Sequence, residues 1–74
     1  DYNNALKTLE EILIENPPDY LKIRIAYYIA TIYYITEDYY KSYIYYMLCF
    51  QYFRKETLPY INSISNILFP QLER

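Results

Sequence analysis

Asp1-Tyr2-Asn3-Asn4-Ala5 and Asp38-Tyr39-Tyr40-Lys41-Ser42 spell one phrase, Asp-Tyr-x-x-small, at positions 1 and 38, 37 residues apart. The register holds beyond the phrase, with Leu9 matching Tyr46 and Ile12 matching Cys49. A period of roughly 34 to 37 residues belongs to arrays of helical hairpins, in which each unit buries its apolar face only by stacking on its neighbours. The repeat therefore points to a helical stack, and the spacing of the remaining residues has to agree.

Ala5, Leu6, Leu9, Ile12 and Leu13 recur at helical spacing between Lys7, Glu10, Glu11 and Glu15, which predicts a first helix from about Tyr2 to Glu15. It should stop before Asn16-Pro17-Pro18, because proline lacks the amide that would continue the ladder and pushes its predecessor out of the α region. Asp19 is a suitable N-cap for a second helix reaching Thr36, with Ala26, Ile29, Ala30 and Tyr33 on one face. Asp38 can cap a third, from Tyr39 to about Lys55, whose last turn would carry Arg54 and Lys55 where cations suit the helix dipole. A fourth is expected from about Thr57 to Phe69, with Pro59 in its first turn and Pro70 as its stop. The Tyr and Ile runs have β propensity. With no glycine and no alternating pattern bounded by turn residues, the reading is nevertheless all-α, about four helices in one domain over residues 1–74.

The first residue is Asp1 and a helical pattern is already running by Ala5, which reads as a piece of a longer polypeptide. A chain of this length buries only about 60% of the surface its unfolded form exposes, so its core is small. With 54% apolar residues, thirteen tyrosines and three phenylalanines, it has enough to bury to be ordered. The excess of Tyr, Ile and Asn also fits an AT-rich coding sequence. Net charge is −2 and the seven basic residues are scattered, so no stripe exists to neutralise a phosphate backbone and nucleic acid is disfavoured as a partner. The longest apolar run, Tyr43 to Phe50, is far short of the roughly 20 residues that span a bilayer as a helix. A single cysteine cannot form an internal disulfide, and no Asn-x-Ser/Thr sequon occurs, which leans toward an intracellular setting.

The pattern Ile29-Ala30, Tyr33, the turn at Thr36-Glu37, then Asp38-Tyr39, Ser42, Tyr46 and Cys49 resembles the tetratricopeptide repeat family. That resemblance implies a right-handed α-solenoid fragment: residues 1–18 as the second half of one repeat, 19–55 as a full repeat and 56–74 as the first half of another or a capping helix. Small Ala30, Ser42 and Cys49 would let two helices approach closely while Tyr33 and Tyr46 fill the space between them. The chain departs from the family pattern at Glu37, where the turn favours glycine, at Ala26, where a large aromatic is common, and at Arg54, where a closing proline would fall. Within the family, Thr8 to Leu13, Tyr28-Ile29-Ala30 and the Glu-Asp-Tyr turn are similar to mitochondrial fission adaptors of the Fis type. The longer period also resembles bacterial envelope-assembly lipoproteins.

The resemblance implies a protein-interaction scaffold whose concave face binds a peptide or partner helix. By the motif register that face is Arg24, Tyr27, Thr31 and Tyr34, one stripe of a helix, continued by Asn62 and Asn66. Tyrosine and arginine are common anchors of such contacts. Some family members hold acidic C-termini with Lys and Asn, but Tyr27 and Thr31 occupy the matching places. Alternatively, the stripe is covered by the protein's own helices and the segment is a packing or dimerisation unit. Ile44 and Met47 fall where a solenoid's outer surface should be polar, marking a second candidate interface that could cover another part of the chain or form a homodimer. No cofactor is implied. There is no histidine to serve as base or ligand, Cys49 has no activator and falls on a packing position, and Glu10-Glu11 and Glu37-Asp38 are adjacent pairs that do not converge on one atom, so neither catalysis nor metal binding is expected.

Overall fold

The computed structural model describes residues 1–70, four α-helices with no strand among them: α1 (Tyr2–Ile14), α2 (Asp19–Ile35), α3 (Tyr39–Cys49) and α4 (Arg54–Leu68). The expected final half-repeat, 56–74, runs beyond the described residues at 71–74. The fold is an all-α antiparallel array in which each helix packs on the next in sequence. Alternate helices do not approach through their backbones. The described chain measures 42 × 26 × 16 Å.

Both copies of the repeated phrase are helix starts. Asp1 caps α1 by accepting the Asn3 amide at 3.0 Å, and Asp38 caps α3 by accepting the Lys41 amide at 3.4 Å. The turn between α2 and α3 is as short as two caps allow. Thr36 closes α2, Glu37 adopts φ 66°, and the amides of Glu37 and Asp38 return to the carbonyls of Tyr34 (3.2 Å) and Tyr33 (2.9 Å). These are the two bonds of a Schellman motif, whose left-handed residue is usually glycine. The next residue, Asp38, already starts α3. Asn16 ends α1 in the same left-handed region, at φ 56°.

Three sequence expectations need correction. Pro18, not Asp19, is the cap of α2: its carbonyl accepts the amides of Leu21 and Lys22, and Asp19 becomes the first helical residue, where its charge still favours the helix dipole. Helix α3 ends at Cys49, well before Lys55: the chain tightens into a turn in which the Phe50 and Tyr52 amides bond three residues back, to Met47 and Cys49, and it leaves the helical region at Phe53 (φ −129°, ψ 53°), whose ring lies 5.7 Å from Tyr27. Helix α4 accordingly starts at Arg54, three residues early. Arg54 and Lys55 thus lie in a first turn rather than a last one, and Arg54 rests 4.9 Å from the centre of the Phe50 ring. Pro59 is consequently inside α4, where it removes the amide that would bond the Lys55 carbonyl.

The core is the α2–α3 seam with α4 laid on it. Ile29, Ala30, Ser42, Tyr46, Cys49, Thr57 and Ile64 are fully buried, joined by Ile25, Ala26 and Ile61. Small residues set the spacing: the Ser42 hydroxyl donates across the seam to the Ala30 carbonyl at 2.8 Å, an approach that a larger side chain at either position would block. Tyr33 stacks on Tyr45 at 6.0 Å near the α1 side, with the Lys41 ammonium 5.5 Å from its ring centre. Its phenol pKa is raised, by burial first and then by the nearby Glu10 carboxylate of α1.

Candidate functional site

α2 and α4 face each other across side chains alone, and those side chains are aromatic. Six rings run in succession through the molecule: Phe53 to Tyr27 (5.7 Å), Tyr27 to Tyr46 (5.9 Å), Tyr46 to Tyr60 (5.1 Å), Tyr60 to Tyr34 (5.1 Å) and Tyr34 to Tyr39 (5.6 Å). Most meet edge to face or tilted, the arrangements that suit the ring quadrupole, while Tyr46 and Tyr60 lie nearly parallel at 10°.

The polar ends of these rings are tied down. Thr31 donates its hydroxyl to the Tyr27 carbonyl at 2.9 Å and shares a hydrogen bond with the Tyr46 hydroxyl, also 2.9 Å away. Burial pushes the Tyr46 phenol pKa up to about 12. The Tyr34 hydroxyl shares a hydrogen bond with Ser63 of α4 at 3.1 Å. Burial also raises the Tyr27 pKa, with Tyr60 and the Glu56 carboxylate adding to the effect.

The structure thus divides the stripe read from the sequence. Tyr27, Thr31 and Tyr34 are half-buried and form a floor between α2 and α4, whereas Arg24 stands exposed at its edge. Arg24 and Tyr27 come together with Tyr28, Phe53 and Glu56 around an open pocket of about 170 Å³. Arg24 makes no ion pair among the described residues. Asn62 and Asn66 are exposed. The α4 residues that meet α2 are Tyr60 and Ser63, and at 100° per residue Asn62 points nearly opposite Tyr60, whereas Asn66, three residues after Ser63, is its neighbour on the helix. Tyr28, Phe53 and Glu56 escaped the sequence reading. Tyr28 is adjacent to the assigned stripe rather than on it, and Phe53 and Glu56 come from a segment whose turn nothing in the local sequence announces.

Ile44 and Met47 are exposed on the side of α3 away from the core. Cys49 is buried, its thiol 3.5 Å from the carbonyls of Tyr45 and Tyr46, and burial raises its pKa away from the thiolate. Among the described residues no group of three or more His, Cys, Asp or Glu could hold a metal ion, and no helix is long and apolar enough to cross a membrane. Compared with family models, curated proteins and solved structures, the chain matches none.

Proposed function

We propose that this chain is a protein-interaction module of tetratricopeptide type, which holds a peptide or partner helix against the α2–α4 face. The observation that carries the reading is the pocket of Arg24, Tyr27, Tyr28, Phe53 and Glu56: three aromatic walls with one cation and one anion at the rim. A volume of about 170 Å³ suits one large apolar side chain, since a cavity of roughly 150 Å³ accommodates benzene. Arg24 would pair an acidic group beside that anchor. The floor below is already bonded, so a ligand would meet a preorganised surface and lose little in ordering it.

Panning random peptides against the chain tests this. Enriched sequences should share a large aromatic or aliphatic residue next to an acidic one. The double variant Arg24→Glu/Tyr28→Ala, which touches only exposed positions, should bind them at least about tenfold more weakly with unchanged circular dichroism. Equal binding by the variant, or no enrichment at all, would remove the α2–α4 face from consideration.

A further inference from the structure

The outer face of α3 carries a separate reading. Ser42, Tyr46 and Cys49 point into the core, and the opposite side of the helix presents Tyr40, Ile44, Met47 and Leu48, which are 65%, 43%, 45% and 61% exposed. The helix has one charge, Lys41, and that is engaged by Asp38 at 4.0 Å and by the Tyr33 ring. Beside Leu48 opens an almost wholly apolar groove of about 270 Å³, lined by Leu13, Lys22, Ile23, Ala26, Tyr45 and Leu48.

We propose that this face pairs with a second copy of the chain through antiparallel contact of the two α3 helices about a two-fold axis at Ile44. Three observations favour a copy of itself as the occupant. The first is register: with Ile44 at the axis, each Tyr40 lies against Leu48 of the other chain, four residues to either side, so the exposed ring meets the mouth of the apolar groove. Knob and hole are on one patch, and the contact closes on itself as an isologous interface must. The second is charge: Lys41 is the one charge on α3, and the same register sets its stem beside Met47 of the other chain, so no like charges are opposed along the paired helices. The third is area. At roughly 200 Å² for a fully exposed large side chain, the four residues and the groove walls offer on the order of 500 Å² per chain, or about 1,000 Å² in a pair, the lower limit for a specific interface. An interface at that limit is a weak one, so the dimer should dissociate on dilution.

Sedimentation equilibrium of the chain from about 5 to 200 µM, concentrations at which a weak pair of this size associates, should show the mass rising from 9.2 kDa toward twice that value. Ile44→Lys should raise the dissociation constant at least tenfold with unchanged helicity, while Arg24→Glu, on the α2–α4 face, should leave it unaltered. Ile44→Cys should form a disulfide-linked dimer on mild oxidation, because the same residue meets itself at the axis; Tyr28→Cys should not, and buried Cys49 does not interfere. A mass of 9.2 kDa at every concentration would overturn the proposal and leave the face to a different partner. Association that survives Ile44→Lys would overturn it equally.

Discussion

At the residue scale, two positions carry most of what is unusual about this chain. Glu37 takes a left-handed conformation that costs a residue with a Cβ about 1 kcal/mol or more. Glu37→Gly should therefore stabilise the fold by about 0.5–1 kcal/mol, after allowing for the greater freedom of glycine in the unfolded chain. A denaturation midpoint that stays put or falls would show that the turn is held by something other than this backbone geometry. Tyr46 is the second. Its pKa rises from about 10 in the unfolded chain to about 12 in the fold, so below pH 10 both states keep the proton and its contribution is intact. Above pH 10 the unfolded chain ionises first, and stability falls by about 1.4 kcal/mol per pH unit up to pH 12. Tyr46→Phe should cost about 0.5–1.5 kcal/mol at pH 7, because Thr31 keeps its carbonyl partner, and that deficit should shrink or reverse at pH 11.5. Equal deficits at the two pH values would contradict the burial of this phenol.

At the scale of elements, the α2–α3 hairpin was legible in the sequence because its determinants are local: small residues in register, an Asp cap, and a helix stop. Ser42 and Ala30 make the seam testable. Ser42→Ala removes one donor, so it should cost only about 1 kcal/mol. Ala30→Leu must place three more carbons where the Ser42 oxygen already sits 2.8 Å from the Ala30 carbonyl, and should cost about 3 kcal/mol or more. Comparable losses for the two variants in urea denaturation would mean that the helices separate easily and that small size is not what the positions require. The α3–α4 junction was not legible. No glycine or proline marks it, and the Phe53 ring that leaves the helix there rests against Tyr27, a residue 26 positions away that local sequence does not announce. The candidate pocket depends on that same break, which is why only Arg24 and Tyr27 of its lining were found from motif spacing.

At the scale of the whole molecule, stability is unevenly distributed. Helix α1 approaches only α2 through its backbone and contributes no buried residue, whereas α2, α3 and α4 share one core. Its amides should exchange with solvent through openings of low free energy, several kcal/mol below those of α2 and α3. Hydrogen exchange that protects all four helices alike would show a single cooperative unit. The array also has an optical consequence. Six rings in succession, each less than 6 Å from the next, span α2, α3 and α4, and the chain has no tryptophan to collect their energy. Light absorbed by one tyrosine therefore passes among its neighbours before it is emitted, so the fluorescence loses its polarisation while the protein itself stands still.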